Sequence, residues 1–410
     1  MKKLGIFIPE FPGQTHAFFM RELAEINKKN VVTQIISTRA PKSGIGLARH
    51  AWASEAAEKT KYLFPLTAGE LLKAVGHVLF AGPRRWFRLL KSVINSDLTL
   101  KEQLRQILYI ILGAELKAFA QQNGIAHIHV HSCANTANIA MYSRLLGGPS
   151  YSMTLHGPLH DYGKNQHNKW KNAAFGIIIT NDLLKEIHRL IPAEILPELR
   201  IAPMGVDVEK FNRSQEYRPP QKNELIKIVS CGRINKIKGH DDLIRVVATL
   251  VQREGLDVQL DICGSTDSNS NASGYLDELQ QLCDSLNVSD RVNFLGSVSE
   301  EVVINKLQEA HFFCLASHKE PLGVAIMEAL SMQTPTIVTR SPGTMEMIES
   351  DVDGILVEPK NPDGFVDAIL ALLDAPVQLT ELSRQGRLTV IDRFHSGLSA
   401  EIIVNMANLS

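Results

Sequence analysis

Short apolar runs alternate with longer stretches of mixed apolar and polar residues along the whole chain. Short runs bounded by turn residues predict buried strands, and the mixed stretches predict helices. The strands are predicted at residues 3–8, 31–37, 125–131, 150–155 and 175–180, and then at residues 226–231, 258–263, 292–295, 311–315 and 336–339. Strands that alternate with helices predict an α/β fold with two parallel sheets.

The charge changes sign near the middle of the chain. Residues 1–207 carry 25 Lys and Arg against 15 Asp and Glu, a net charge of +10, whereas residues 208–410 carry 18 against 29, a net charge of −11. The stretch 204–220 contains Gly205 and ends in two prolines, which is typical of a linker. We therefore predict one domain over residues 1–207 and a second over residues 208–391.

Composition narrows the class of protein. With 410 residues, 44% of them hydrophobic and 21% charged, the chain is globular. Its five cysteines have no CxxC spacing, which favours a reduced cytoplasmic compartment and argues against a zinc site. No apolar window reaches the roughly 18 residues that a membrane span needs. We expect a soluble protein, or one that rests on a membrane surface.

A basic segment rich in apolar residues lies between residues 68 and 120 and is predicted to be helical. Its cations are Lys73, Arg84, Arg85, Arg88, Lys91, Lys101 and Arg105. Apolar residues such as Leu72, Phe80 and Phe87 are interspersed with them, so the segment could rest on an anionic membrane. The ordinary alternative is a solvated helix face over a core.

Two glutamates, Glu320 and Glu328, flank a predicted helix start that follows a strand. The residues between them, Leu322, Gly323 and Val324, would offer free N–H groups at a helix N-terminus, which is a natural anion site. Carboxylates on either side could hold hydroxyls, so the pattern suits a polyol phosphate. The alternative is a capping glutamate and a surface glutamate.

A second group of residues follows the strand at 226–231. Gly232 and Arg233 begin a loop that ends in Lys238 and Gly239. The guanidinium and ammonium groups would bind a diphosphate, although a basic loop is often only solvated. Neither a GxxxxGK[ST] motif nor a GxGxxG motif after the first strand is present, which argues against NTP hydrolysis and dinucleotide oxidation.

Histidines and a glycine loop are expected at strand ends in the first half. His156 lies where ligands bind to open α/β sheets, and Gly13 in the loop with Thr15 and His16 has the same placement. His127, His129 and His131 alternate along one strand and could hold a metal, but no acidic or cysteine neighbour supports that reading. We predict no metal, and each histidine could also be structural.

The order of these motifs resembles the family 4 retaining glycosyltransferases of the GT-B fold, over nearly the whole chain. The matching pieces are PGQTHAFFMREL, MTLHG, IAPMGVD, CGRINKIKG, LDICG, RVNFLGSV, EPLGVAIMEAL, SPGTMEMI and DGILVEP. The opening piece and the basic middle resemble members that build exopolysaccharide or glycolipid. The resemblance implies two Rossmann-like domains that face each other across a cleft, with a final helix at 392–410 packing back on the first domain.

The resemblance also implies roles for individual residues. Arg233 and Lys238 would bind the diphosphate of a nucleotide sugar, Glu320 the hydroxyls of the transferred sugar, and Glu328 the ribose. On the donor side the remaining contacts would come from Gly13, Gly232, Gly264, Asn293, Leu322, Gly323 and Val324. His156 would approach the sugar in the active site. Thr15, His16 and His131 are expected on the acceptor side.

The chain departs from the family pattern at two positions. Met204 replaces the asparagine that often precedes Gly-Val-Asp, and the acidic residue that follows the His-Gly pair is displaced to Asp161. Both departures concern the acceptor side rather than the phosphate contacts.

The expected activity is transfer of a sugar, with UDP-sugar as the first candidate donor, to a glycan or a lipid-linked acceptor. Transfer would need no metal or other cofactor, because Arg233, Lys238 and the helix start at Leu322 to Val324 could stabilise the departing phosphate. Two alternatives stay open: an epimerase or hydrolase of nucleotide sugars on the same fold, and an inactive partner subunit of a polysaccharide assembly complex. A nucleic acid partner is not expected.

Overall fold

The computed structural model describes residues 3–13, 16–41, 51–266 and 273–409. Its strands are β1 Lys3–Glu10, β2 Val32–Arg39, β3 Lys61–Phe64, β4 Ile125–Val130, β5 Ser150–Leu155, β6 Phe175–Ile178, β7 Glu198–Ile201, β8 Ile226–Cys231, β9 Val258–Cys263, β10 Val292–Gly296, β11 Phe312–Leu315, β12 Thr336–Thr339 and β13 Ile355–Val357.

The helices fill the stretches between the strands. They are α1 Ala17–Lys28, α2 Ala53–Glu58, α3 Ala68–Leu79, α4 Pro83–Ile94, α5 Leu100–Asn123, α6 Asn135–Leu145, α7 Gln166–Asn172, α8 Asn181–Leu190, α9 His240–Gln252, α10 Ser273–Ser285, α11 Glu300–Glu309, α12 Val324–Ser331, α13 Pro342–Met347, α14 Pro362–Asp374, α15 Pro376–Arg393 and α16 Gly397–Met406. No helix of the described residues is long and apolar enough to cross a membrane.

The chain divides into two compact units. The first comprises Met1–Met204 and Ser396–Ser410, and the second comprises Gly205–His395. The first division lies three residues before the one predicted after residue 207. The second lies four residues after the predicted start of the final segment at 392.

The first unit is built on a seven-stranded parallel sheet in the order β3-β2-β1-β4-β5-β6-β7. Its central strands are largely buried, as a parallel sheet covered on both faces requires; β1 is mostly apolar, whereas β4 and β5 also bury histidine, serine and threonine side chains. The last helix, α16, packs on α1 and buries Ala400, Ile403 and Val404 in the core of this unit. The strand order runs outward in opposite directions from β1 and β4. The loops after these two strands therefore diverge and leave a crevice at their carboxyl ends.

The second unit has a six-stranded parallel sheet in the order β10-β9-β8-β11-β12-β13. Here the change of direction falls between β8 and β11. The loops that begin at Gly232 and at Ala316 therefore start side by side at the carboxyl edge of the sheet.

The stretch predicted to be a linker is part of the second unit instead. Phe211 is fully buried, and the Arg213 guanidinium donates hydrogen bonds to the backbone carbonyls of Leu307, Gln308, Ala310 and Met332. The Tyr217 hydroxyl donates to the His311 carbonyl. Arg213 and Tyr217 thus cap backbone carbonyls of this unit, so the stretch is packed against it.

Candidate nucleotide-sugar site in the second unit and a histidine cluster in the first

The backbone of the loop after β8 is in direct contact with the backbone of the loop after β11. Gly239 has φ +62°, and a Cβ on it would clash with the Ala316 carbonyl oxygen. The His318 N–H donates to the Ile237 carbonyl over 2.7 Å, which fastens the two loops together. Glycine is required at position 239 because both the positive φ and the close contact exclude a side chain.

Lys238 and Glu320 are joined by a salt bridge between these two loops. Their side chains are 17% and 8% exposed, so the pair is largely removed from water. A pair in such surroundings is held firmly, because either charge alone would be costly to bury. The fold therefore brings together two site residues that lie 82 positions apart in the sequence.

The N-terminus of α12 lies directly after Glu320. Gly323 caps the helix with φ +84° and no side-chain hydrogen bond. Within the described residues, the N–H groups of Gly323, Val324 and Ala325 have no protein acceptor. Open N–H groups at a helix start attract anions, so a phosphate here would have the Lys238 ammonium nearby.

The backbone before α12 is fixed by the loop after β12. The Ser341 hydroxyl donates to the Glu320 carbonyl over 3.1 Å, and a Cβ on Gly343 would clash with the Pro321 carbonyl oxygen. Leu322 is 3% exposed and belongs to the packed interior rather than to an open surface. Its expected contact with the donor can therefore come from its backbone.

Of the other predicted donor residues of this unit, Gly232 and Gly264 follow the carboxyl ends of β8 and β9, whereas Asn293 lies near the amino end of β10. A Cβ on Gly264 would clash with the Gly232 carbonyl oxygen, and the Gly264 N–H donates to the Gly296 carbonyl over 2.8 Å. Asn293 donates to the Asp261 carboxylate over 2.8 Å, so its amide is already engaged within the sheet. The backbone around Gly264 is thus better placed than the Asn293 side chain to contact a nucleotide base.

Arg233 and Glu328 complete this group. Arg233 is exposed, and its carbonyl accepts a hydrogen bond from His240, whose pKa burial lowers to about 4. The hydrogen bond with Cys263 and burial raise the pKa of the Cys231 thiol at the end of β8, and the nearby charge of the partly buried Glu328 adds to this rise. Both residues therefore lie at the edge of the sheet that carries Lys238 and Glu320.

The first unit gathers histidines at the corresponding edge of its sheet. His131 Nδ1 and His156 Nε2 are 3.3 Å apart, and Glu22 Oε2 from α1 lies 2.9 Å from His131 Nε2. Phe19 packs on both rings, at centroid distances of 4.6 and 6.0 Å. Burial, together with the neighbouring His131 and His16, holds the pKa of His156 well below its ordinary value, so this imidazole is neutral at pH 7.

His127 and His129 have a structural arrangement. His127 bonds to the hydroxyls of Ser150 and Ser152, and His129 bonds to those of Ser152 and Thr154, all over 2.7 to 2.8 Å. These bonds join β4 to β5 and use both nitrogens of each ring. Burial lowers the pKa of His127 to about 3 and holds that of His129 well below its ordinary value, so both rings are neutral at pH 7.

A group that could hold a metal consists of Glu22, His129 and His131, whose ligand atoms lie within 4.8 Å of one another. Both nitrogens of His129 are already bound to hydroxyls, so this residue would have to give up a hydrogen bond to coordinate an ion. Sequence reasoning found no acidic neighbour for these histidines. Glu22 on α1 is that acidic neighbour, and its helical neighbours Phe19, Leu23 and Ile26 are buried. A charged residue on the buried face of a predicted helix could have indicated this contact from the sequence.

The loop after β1, which contains Gly13, is filled by the side chain of His16 from the same loop. A Cβ on Gly13 would lie 2.6 to 2.9 Å from the His16 ring, and the His16 N–H donates to the Gly13 carbonyl over 3.1 Å. The His16 ring therefore fills the space beside Gly13. The remaining predicted residue of this loop, Thr15, lies outside the described residues.

The chain matches known proteins in sequence and in structure. Residues 212–389 match the family model of glycosyl transferases group 1. The uncharacterized glycosyltransferase MJ1607 of Methanocaldococcus jannaschii is 33% identical over 166 residues, 40% of each chain. The alpha-D-kanosaminyltransferase of Streptomyces kanamyceticus is 27% identical over 276 residues, 61% of this chain and 69% of the relative. The chain thus spans about two-fifths of the length of the archaeal relative.

The fold is also that of solved glycosyltransferases. Anabaena HepE, in a crystal structure with UDP-glucose, superposes with a TM-score of 0.72 at 14% identity, with all of both chains covered. These matches confirm the resemblance that the motifs carried and the fold class that followed from it. Residues 212–389 belong to the group 1 glycosyltransferase family, and the chain has the GT-B fold.

Proposed function

We propose that the chain is a retaining glycosyltransferase that moves a sugar from a nucleotide diphosphate sugar to a glycan or a lipid-linked acceptor. UDP-sugar is the first candidate donor. The observation that carries the proposal is the buried Lys238–Glu320 pair beside the open N–H groups of α12. The name of the family, the kanosaminyl relative and the UDP-glucose complex of HepE support the same class of reaction.

The charges of this site fit the leaving group. When the anomeric C–O bond breaks, its electron pair goes to a phosphate oxygen, and negative charge develops there. Lys238, Arg233 and the α12 N–H groups would stabilise that charge without a metal or other cofactor. Glu320 would accept hydrogen bonds from the sugar hydroxyls, and Glu328 from the ribose.

The proposed stereochemistry rests on the carboxylate that lies beside the phosphate site in the described residues. A double displacement needs a carboxylate that attacks the anomeric carbon, and Glu320 is engaged by Lys238. We therefore favour attack by the acceptor oxygen on the face that the phosphate leaves. The acceptor's proton then passes to the leaving phosphate oxygen. His156 is neutral, so it would orient a hydroxyl by hydrogen bonding rather than by charge.

The acceptor and the place of action form the finer part of the proposal. Thr15, His16 and His131 would lie on the acceptor side, in polysaccharide or glycolipid synthesis. Residues 73–105 would rest on the inner face of the cytoplasmic membrane, which would bring the enzyme to a lipid-linked acceptor. Eleven of the twenty-two exposed large apolar side chains in the described residues lie between positions 71 and 108, which supports this attachment over an ordinary solvated face.

Two measurements test the proposal. First, thermal stability is measured against UDP, GDP, ADP, CMP and their sugar conjugates in EDTA; one nucleotide at 100 times its Kd should stabilise the protein by about 2.7 kcal/mol. Second, the product formed from that donor is examined by NMR for its anomeric configuration. Retention supports the proposal, and inversion or a trapped sugar on the protein contradicts the mechanism.

The same measurements separate the alternatives. Free sugar or an epimer as the main product, with every acceptor tried, would identify a hydrolase or an epimerase. No stabilisation by any nucleotide in a folded sample would favour a partner subunit that has lost donor binding.

A further inference from the structure

Helix α4 presents an apolar stripe to the outside. Phe87, Leu90 and Ile94 are 67%, 54% and 69% exposed and share one face, whereas Leu89 and Ser92 on the opposite face are buried. The basic side chains Arg84, Arg88 and Lys91 form a second stripe beside the apolar one. A helix with its apolar face outward and cations at the side has the pattern of an interfacial helix.

A cavity of about 930 Å³ opens beside this helix, and five of its lining residues are cations. They are Arg84, Arg85, Arg88, Arg144 and Lys171. None of the five forms an ion pair with a carboxylate in the part of the chain that the structure describes. Five cations without a carboxylate around one cavity create a strong positive potential.

The walls of the cavity are built by close contacts. The Arg85 guanidinium lies against Gly147, where a Cβ would come within 2.7 Å and where φ is +92°. Arg85 also donates to the Ala81 carbonyl, and Arg144 donates to the Gly148 carbonyl over 3.3 Å. Two of the guanidiniums are thus held in place before any ligand arrives.

The cavity lies at the opposite edge of the sheet from the histidine cluster. Gly147 precedes β5, and Lys171 and Asn172 precede β6, so these residues lie at the amino ends of the strands. His131 and His156 follow the carboxyl ends of β4 and β5. Because β5 has six residues, the two edges are separated by about 20 Å. The cavity is therefore not part of the proposed reaction site.

We propose that this cavity binds the phosphate headgroup of an anionic membrane phospholipid, and the proposal rests on the membrane attachment proposed above. Guanidinium groups bind phosphate through paired hydrogen bonds, which accounts for four arginines in one cavity. The exposed Leu79, Phe80 and Phe87 around it would contact the acyl chains of the same lipid layer. This combination selects a lipid phosphate rather than a free anion, which would leave the apolar rim in water.

The test uses the full chain and vesicles of phosphatidylcholine with or without phosphatidylglycerol. Arg144→Gln with Lys171→Gln removes two cavity charges, and Lys101→Gln with Arg105→Gln removes two charges from α5 outside the cavity. Attraction to a charged surface alone weakens binding by about fivefold per charge and so equally in both variants. We expect the cavity variant to bind phosphatidylglycerol vesicles at least about tenfold more weakly than the α5 variant.

Each result has one meaning. Equal losses in the two variants would overturn the headgroup site while leaving the membrane attachment in place. If wild-type protein binds no vesicle and inorganic phosphate stabilises it only when the cavity is intact, the cavity is a free-anion site and the lipid proposal is wrong. Stabilisation by nucleotide, measured on both variants, should stay at the wild-type value and reports separately on the donor site.

Discussion

The carboxyl edges of the two sheets are built by the same topology but differ in electrostatics. In the second unit, the edge carries a salt bridge between Lys238 and Glu320 and the open N–H groups of α12. In the first unit, the edge carries imidazoles kept neutral by burial, with Glu22 as their carboxylate neighbour. One edge suits a charged leaving group, and the other suits hydroxyls that must be oriented without added charge.

The difference shows that the position of a site and its chemistry have separate origins. The position follows from sheet order, because loops diverge between β1 and β4 and between β8 and β11. The chemistry follows from a few side chains that the loops hold against one another, such as Lys238 against Glu320. Equivalent loops in the two units therefore differ in the chemistry that their side chains offer.

The largest effect is expected from Lys238. Lys238→Ala should lower kcat/KM by about a hundredfold to a thousandfold, because it removes a charge that stabilises the leaving phosphate and leaves Glu320 buried without a partner. Steady-state kinetics with the donor found by thermal stability measures it. Lys236→Ala is the matched control, since Lys236 lies two residues away with an exposed side chain that pairs with Glu278. Equal losses in the two variants would refute the role of the buried pair.

The second prediction tests the contact between the loops after β8 and β11 in the second unit. Gly239→Ala should lower the free energy of unfolding by roughly 2 to 4 kcal/mol and abolish nucleotide binding, because the new Cβ pushes on Ala316. Gly255→Ala also has a positive φ, +68°, but open space around it, and should cost only about 1 kcal/mol. Urea unfolding measures the free energy of unfolding of both variants. A similar decrease in both would show that the two loops can separate without loss of stability.

The third prediction concerns Glu22 in the first unit. Glu22→Gln should lower kcat by about tenfold and shift its pH profile, because the Glu22 carboxylate accepts the Nε2–H of His131 and leaves Nδ1 of that ring to accept a hydrogen bond from His156 Nε2. Glu25→Gln, on the same helix but paired with Lys28, should change neither quantity. A fall in kcat with an unchanged pH profile would mean that Glu22 only supports the packing of α1.

The smallest effect concerns the neutral histidines. The pKa of His127 is about 3 in the folded protein and about 6.5 in the unfolded chain, so unfolding binds a proton between these values. This contribution is complete above pH 6.5 and is lost as the pH falls, at about 1.4 kcal/mol per pH unit. His127→Gln should remove up to one proton from the slope of unfolding free energy between about pH 4 and 6, where the unfolded imidazole is protonated and folded His127 is neutral. His160→Gln, at an exposed side chain, controls for the loss of an imidazole, and an unchanged slope in His127→Gln would contradict the assignment.

The sequence was sufficient to predict most of the strands, because short runs rich in apolar residues, such as β1 and β8, are typical of buried strands. The edge strands β3, β7 and β13 were not predicted, since most of their residues are not buried, whereas the four-residue strands β6, β11 and β12 are fully buried. Lys238 and Glu320 could be predicted as site residues from motifs. Their salt bridge and the contact of Glu22 with His131 could not, because each joins segments that only the fold brings together.

The most direct test of the central claim is hydrogen exchange of the full chain with and without a saturating nucleotide sugar. The account predicts strong protection of backbone N–H groups in residues 232–239 and 320–328, and little protection of residues 68–100 around the arginine cavity. Protection confined to the first unit, or none in residues 232–239 and 320–328 with bound nucleotide, would contradict the assignment of the donor site to the second unit.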